Sequence, residues 1–175
     1  MDKKKKVIPV DELNLIAADI YRTTDKEDRE EEFLDEFLTL LILAYVIGNG
    51  EDNDVDIVKL NQSIYKEVAG ENFADRIKTH VENDDVEGLQ RLLVTEWHRN
   101  FNQGAYDGAV ASGKTMKTWV TMRDERVRDT HEFLEGVTIP INEEFYTSDG
   151  DHARFPNDFE NPANNINCRC ILEYT

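Results

Sequence analysis

The chain has little of what marks secreted or membrane-spanning proteins. Its 175 residues include two cysteines and four prolines, and no apolar run reaches the roughly 20 residues that cross a bilayer. The most apolar stretch, residues 37–48, follows three glutamates at positions 30–32 and predicts a buried helix. No secretion signal is recognisable, so we expect the protein to start in a cytoplasm.

The two cysteines are separated by a single residue. A disulfide between Cys168 and Cys170 would close a very tight, strained ring, so we expect both to be free thiols. Reduced cysteines agree with assembly in a cytosol. They leave two sulfur atoms for a metal ion or for simple packing.

Basic residues are scarce relative to acidic ones, 20 against 37, which gives a formal net charge of −17. A field of this sign repels phosphate backbones at long range and argues against generic coating of nucleic acid. The one basic run is the four lysines at positions 3–6, within residues 1–10, which we interpret as a flexible basic tail. With 39% hydrophobic and 33% charged residues, the chain is predicted to be folded and soluble.

Residues 11–112 are predicted to be helical because apolar residues recur at three- and four-residue spacing. The predicted helices span about 11–21, 24–48, 55–69, 72–81 and 86–112. Thr24 and Glu27 fit a capping box at the start of the second helix. Its apolar positions cover almost the whole circumference, which predicts a central helix or one buried against another subunit. Gly104 and Gly108 suit close packing of the fifth helix against another backbone.

The composition changes after Gly113, where prolines and β-branched runs replace helical periodicity. Strands are predicted at 118–122, 137–141 and 168–174, a short helix at 125–134, and a long ordered loop at 142–167. The chain is therefore predicted to be an α+β protein. A helical amino-terminal two-thirds is followed by a small, loop-rich α+β region, residues 113–175, with a short β-sheet.

An ordered set of residues in the carboxyl-terminal region is diagnostic. It consists of Trp119, Asp124, Arg126, Arg128, His131, Gly136, Pro156, Asp158, Asn167, Cys168, Arg169 and Cys170. In this order the residues resemble the signature of the phage head morphogenesis family typified by phage Mu protein F, and we call them the signature residues. Lys117 precedes them in the same pattern, and upstream Thr95, Glu96, Asn102, Gly104 and Gly113 also fit. The resemblance covers about residues 95–174 and includes the predicted helix that begins near residue 86.

The resemblance implies a minor structural protein of a tailed-phage or prophage head. Such a protein acts in head morphogenesis by binding the portal protein or the major capsid protein, and it influences DNA packaging or ejection. The implied location is the host cytoplasm during assembly and then the virion, in the capsid interior or at the portal vertex. No membrane and no enzymatic activity are expected, and contact with the genome inside the capsid stays open.

His131, Cys168 and Cys170 are the one set with metal-ligand chemistry. Thiolates and imidazole suit zinc, and strand pairing could bring the distant histidine beside the two cysteines. The alternative is an apolar thiol pair that packs against a hydrogen-bonded histidine. A metal at this place would be structural, because no open catalytic position is indicated.

Members of the family that this chain resembles have a fuller set of zinc ligands. They carry Cys-x-x-Cys at the positions of Arg128 and His131 and a further histidine near Asn164 or Asn165. Because these ligands are missing here, no cofactor is expected. A structural zinc ion remains the alternative, with His152 or Asp124 as its fourth ligand.

The charged signature residues have a structural and a functional interpretation. Asp124 is predicted to form ion pairs with Arg126 and Arg128, because guanidinium groups match carboxylates. An alternative is a nuclease- or transferase-like remnant that uses His131 with Arg126 or Arg128 as a phosphate clamp, although no phosphate loop or nucleophile motif is present. A second alternative is an acidic inhibitor or DNA mimic of a host protein. Trp119 is predicted to lie in the core.

Overall fold

A computed structural model describes residues 8–175. Most of the predicted basic tail, including all four lysines, lies outside the described residues. The described elements are α1 (Val10–Thr23), α2 (Arg29–Asn49), α3 (Ile57–Ile64), α4 (Phe73–Glu82), α5 (Val86–Ala111), β1 (Met116–Val120), α6 (Asp129–Glu132), β2 (Thr138–Pro140), β3 (Phe145–Tyr146), β4 (His152–Ala153), α7 (Pro162–Asn165) and β5 (Ile171–Tyr174). The predicted α+β class is confirmed, because five helices precede a small antiparallel sheet.

The central helix is α5, which is buried around most of its circumference. One side of α5 packs in the hydrophobic core formed with α1 to α4, and its carboxyl-terminal half also contacts the region that follows. Of the two alternatives for α2, the central position was wrong, whereas burial against another subunit stays a prediction. Residues Ile42, Leu43 and Val46 remain 38%, 42% and 40% exposed, because α2 is covered from one side alone.

Three glycines allow α2 and α5 to cross with their backbones in contact, as the small residues predicted. A Cβ atom on Gly104 would lie 2.1 Å from the carbonyl oxygen of Tyr45, and one on Gly108 would lie 2.1 Å from that of Asn49. From the opposite helix, a Cβ on Gly48 would meet the carbonyl oxygen of Phe101 at 2.1 Å. Neither helix can therefore carry a side chain at these positions without separating from the other.

Two predicted helix boundaries were wrong for local reasons. Thr24 does not cap α2, because its backbone N–H closes α1 by donating to Ile20; α2 begins at Arg29 without a side-chain cap. The helix predicted over 55–69 ends at Ile64. The chain then turns through Ala69 and the following glycine, both with positive φ, where Val68 and Glu71 form an isolated bridge.

In the carboxyl-terminal region β1 is the middle strand of the order β2-β1-β5, and both of its neighbours are antiparallel to it. Trp119 on β1 pairs with Leu172 of β5. The strand predicted at 118–122 begins two residues earlier, and the strand predicted at 168–174 is confined to β5. The predicted loop at 142–167 contains the β3–β4 hairpin and α7.

The helix predicted over 125–134 is shortened to the single turn α6. The four preceding residues form a turn instead, in which the backbone N–H of Val127 donates to the carbonyl oxygen of Asp124. The Asp124 carboxylate accepts a second bond, from the backbone N–H of Arg126. Such side-chain to backbone bonds compete with helix formation, which explains the late start of α6.

A second hydrophobic cluster lies under the small sheet. Trp119 is fully buried in it, as predicted. Its ring makes edge-to-face contact with Phe145 at 5.0 Å and a tilted contact with Phe159 at 6.0 Å between centroids. In the part of the chain that the structure describes, no helix combines the length and the apolar character needed to span a membrane.

Lys117 on β1 is a fully buried cation. Its Nζ donates to the backbone carbonyl oxygens of Glu143 and Arg154, the latter at 2.7 Å. Burial lowers the pKa of Lys117 from 10.5 to about 8.

This pKa predicts a pH dependence of stability. Between pH 8 and pH 10.5 the unfolded chain holds the Lys117 proton more tightly than the folded chain, so the free energy of unfolding should rise with pH across this window. The rise from pH 8 to about pH 10 should be on the order of 2 kcal/mol larger than in a Lys117→Met protein. Urea denaturation of both proteins at the two pH values measures it. Parallel changes in the two proteins would show that Lys117 is not the cause.

Candidate functional site

The carboxyl-terminal region is attached to α5 by two buried polar side chains that belong to the upstream part of the motif. Thr95 accepts a hydrogen bond from the backbone N–H of Asn167 at 3.1 Å. The Asn102 amide donates to the carbonyl oxygen of Cys170 at 3.1 Å and to that of Pro156 at 3.3 Å. These bonds fix the loop that precedes β5 against the central helix.

Asparagines shape this loop. Asn157 and Asn167 have φ angles of 70° and 57°, a left-handed conformation that asparagine tolerates better than most residues. The Asn157 side chain donates to the carbonyl oxygens of Asn165 and Cys168 at 2.9 and 3.2 Å. Asn165 in turn bonds both backbone polar groups of Phe159. The loop is therefore held by its own side chains, and it places Cys168 and Cys170 directly before β5.

Three of the signature residues meet in the interior, as predicted. The Nδ1 atom of His131 lies 3.6 Å from Cys168 Sγ and 3.9 Å from Cys170 Sγ. The three side chains are 1%, 2% and 4% exposed, respectively, so almost none of their surface is accessible. The imidazole stacks on Phe159 with 5.2 Å between centroids and meets the edge of Trp119. Among the described residues its Nε2 atom has no hydrogen-bond partner.

The two thiols form an unequal pair, and both are free of disulfides. A hydrogen bond from the Cys170 side chain lowers the pKa of Cys168, and the positive charges of Arg128 and Arg169 act in the same direction. The same contact with Cys168, together with burial, raises the pKa of Cys170. Cys168 is therefore the sulfur that carries negative charge more readily.

His131, Cys168 and Cys170 provide three donor atoms within 4.8 Å of one another. Over residues 8–175 no fourth histidine, cysteine or carboxylate joins them. The proposed fourth ligands are engaged elsewhere, since His152 pairs with Glu144 at 2.9 Å and Asp124 pairs with an arginine. A structural zinc site has four protein ligands, so the set does not fit one.

The predicted ion pair of Asp124 is corrected by the structure. Both carboxylate oxygens accept from Arg169, at 2.7 and 2.8 Å, in a two-pronged pair that links the turn before α6 to the strand-forming end of the chain. This pair lowers the pKa of Asp124. Arg128 instead donates to the carbonyl oxygen of Ile166. Asp124 and Arg169 are 45 positions apart in the sequence, so local spacing could not predict this pair.

Three further signature residues make contacts that stabilise the fold. Gly136 has a φ angle of +75°, which favours glycine, and its N–H donates to the carbonyl oxygen of Trp119. Asp158 is buried and forms ion pairs with Lys66 and with Arg154, the latter at 3.2 Å. The Pro156 carbonyl oxygen accepts the bond from α5 described above.

Arginines of the signature line an open cleft that sequence reasoning did not predict. Arg126, Arg128 and Arg169 line it together with Arg91 of α5. The cleft has a volume of about 600 Å³ and is completed by Val10, Asn14, Glu87, Gln90, Val94 and Asn167. We call it the arginine cleft. A cavity of about 10 Å³ behind the three signature arginines leads to the histidine and the two thiols.

The fold and this site define a class of protein: a helical scaffold whose central helix carries a small, internally bonded α+β unit. His131, Cys168 and Cys170 are buried in this unit. A model of the family described as phage Mu protein F like matches residues 58–173. The chain belongs to this family, which is structural and acts in phage head morphogenesis. The match begins earlier than residue 95 and so includes α4 and most of α3.

One curated relative is an enzyme by name. The chain is 35% identical over 140 residues to the NAD(+)–arginine ADP-ribosyltransferase EFV of Enterococcus faecalis (strain ATCC 700802 / V583). The aligned part is 64% of this chain and 27% of that protein, so the chain spans about a quarter of the length of this relative. No solved structure matches the chain significantly.

Proposed function

We propose that the protein is a minor structural component of a tailed-phage or prophage head. It joins the head during assembly in the host cytoplasm by binding the portal protein or the inner face of the major capsid protein, and it influences DNA packaging or ejection. The observation that carries the proposal is the burial of the three signature side chains that have ligand or acid–base chemistry. His131, Cys168 and Cys170 are at most 4% exposed, and their neighbours hold the fold.

The first experiment tests the partner. The chain is co-expressed with the portal protein, and separately with the major capsid protein, from the same phage genome. Co-purification with one of them in a defined ratio is expected. Binding to neither in these assays and in assembling heads would reject the proposed partners.

A role as a nuclease- or transferase-like enzyme is not supported. An acid or base must reach its substrate, and His131 is enclosed by Phe159 and Trp119. A phage that lacks the gene should therefore recover normal particle yield when it is complemented with a His131→Gln protein that melts as a folded domain. If this folded protein fails to restore particle yield while the wild type succeeds, the result would support the enzyme hypothesis.

We also propose that the protein works without a bound metal. The Nδ1 atom of His131 contacts the two thiols, and a fourth ligand is missing among the described residues. Protein purified after growth in zinc-supplemented medium should contain far less than one equivalent of zinc by elemental mass spectrometry. One equivalent in the wild type that disappears in Cys168→Ser would contradict this proposal.

A further inference from the structure

A recess of about 300 Å³ lies between α4, α5 and the loop around α7. We call it the α4–α5 recess, and its lining includes Val68, Arg76, Leu92, Thr95, Arg99 and Ile166. Its walls therefore come from both the helical part and the carboxyl-terminal region. Small-molecule sites often lie at such junctions, and their volumes begin at about this size.

Arg76 is fixed on the wall of the recess by backbone carbonyl groups. Its Nη2 atom donates to the carbonyl oxygens of Val68 and Glu71, at 2.7 and 3.0 Å. Its contact with the Glu96 carboxylate is long, at 3.4 Å, and the side chain remains 21% exposed. Because these bonds order the guanidinium group before a ligand arrives, less conformational entropy is lost on binding.

Arg99 is a buried cation that also lines the recess. Its Nε and Nη2 atoms donate to one oxygen of Glu96, at 2.8 and 2.6 Å, and Nη2 reaches the Ile64 carbonyl oxygen at 3.5 Å. Within residues 8–175 these bonds leave the Nη1 group of Arg99 without a hydrogen-bond partner. Buried donors are rarely left without an acceptor, so this group indicates an acceptor that a ligand supplies.

The charges around the recess favour an anion with a single negative charge. Three arginines and two glutamates line it, which leaves an excess of one positive charge. The Thr95 hydroxyl adds a neutral donor. Its oxygen accepts from the backbone N–H of Asn167, and its own proton is used by no described residue. Guanidinium groups and a hydroxyl are suitable donors to a carboxylate.

The rest of the lining is apolar. Val68 and Leu92 are buried, and Ala69 and Pro162 continue the same surface. Ile166 is also part of it and remains 43% exposed. A ligand that covers Ile166 removes apolar surface from water, which stabilises the complex. An inorganic ion has no group that could do this, so the lining favours an organic acid.

We propose that the α4–α5 recess binds a small organic carboxylate with a short apolar body. The carboxylate accepts hydrogen bonds from Arg76, from the Nη1 group of Arg99 and from the Thr95 hydroxyl. The apolar body covers Leu92 and Ile166. A bound acid therefore links the loop around α7 to α4 and α5. This inference goes beyond the proposed function and does not depend on it.

The test is an amide NMR titration of the purified full chain with 4-methylpentanoate at constant ionic strength. Saturable shifts should be confined to residues that line the recess. A ligand of about eight non-hydrogen atoms gains limited free energy, so we expect a dissociation constant on the order of 1 mM. The neutral 4-methylpentanamide, acetate and inorganic phosphate should each bind roughly tenfold more weakly or not at all, because each lacks either the charge or the apolar body.

Two variants with the same change in net charge show where the acid binds. Ile166→Asp places a carboxylate on the wall of the recess and leaves the backbone carbonyl oxygen that holds Arg128 in place. Val110→Asp is the matched control, because Val110 is 45% exposed and lies outside the recess. Ile166→Asp should weaken binding of 4-methylpentanoate roughly tenfold, while Val110→Asp should stay within about twofold of the wild type.

The Arg76→Gln protein tests the charge directly and should also bind roughly tenfold more weakly. Melting curves establish that each variant is folded before it is titrated. Three results would overturn the proposal. The wild type shows no saturable shifts up to about 20 mM acid, the amide or phosphate binds as tightly as the acid, or the two aspartate variants lose binding equally.

Discussion

Replacing Gly104 with alanine is expected to destabilise the protein by about 3 kcal/mol or more, because the new methyl group would overlap the α2 backbone. The added Cβ would lie 2.1 Å from the Tyr45 carbonyl oxygen. That oxygen cannot move alone, since the Tyr45 hydroxyl is also bonded to Asp107 of α5 at 2.6 Å. The two helices would have to separate along their whole crossing.

Whether Gly104→Ala raises or lowers the free energy of unfolding shows whether Gly104 lies against another helix. In an exposed helix, glycine to alanine stabilises by up to about 1 kcal/mol, because alanine has the higher helix propensity. Chemical denaturation of Gly104→Ala, with Val110→Ala on the exposed side of α5 as a control, measures both effects. The control should stay within about 0.5 kcal/mol of the wild type. A stabilised Gly104→Ala protein would show that α2 and α5 do not approach as described.

Replacing Glu96 with alanine is the second change for which we expect a large effect, a loss of about 3–5 kcal/mol. Glu96 and Arg99 are 3% and 2% exposed, and the carboxylate accepts from the guanidinium at 2.6 and 2.8 Å. Arg76 contributes a weaker contact at 3.4 Å. Without Glu96 the Arg99 charge stays buried beside α5 without its counter-ion.

The matched control for this change is Glu87→Ala on the same helix. Glu87 is 87% exposed, and its pair with Arg91 at 3.8 Å should contribute less than about 0.5 kcal/mol. Thermal and urea unfolding of the two variants separate the buried pair from the exposed one. Similar stabilities would mean that the Glu96–Arg99 pair contributes little.

Local patterns were sufficient to predict much of the helical half. The start of α4 follows from Asn72 and Asp75, which form a capping box with each other, and α5 from a long apolar periodicity. The start of α2 was mispredicted because the local pattern at Thr24 suits the end of one helix as well as the start of the next. The central position of α5 could not be predicted from its own pattern, because it depends on the packing of α5 against both the other helices and the carboxyl-terminal region.

In the candidate site, too, local patterns predicted some contacts, whereas contacts that depend on tertiary packing were missed. His131, Cys168 and Cys170 were expected to meet, because their chemistry and the strand pattern both pointed to it. The partner of Asp124 was mispredicted, since Arg169 is brought to it by the β1–β5 pairing. Arg91 joins the signature arginines only through the packing of α5 against the loop before β5, so the cleft was not predictable from spacing.

The central claim is that this chain is a structural part of a phage head, and composition of purified particles tests it most directly. Quantitative mass spectrometry of gradient-purified, DNA-filled particles should detect its peptides in a constant ratio to the portal and major capsid proteins. Particles from a strain that makes the protein at normal levels, yet contain none of it while the other head proteins are present, would contradict the account.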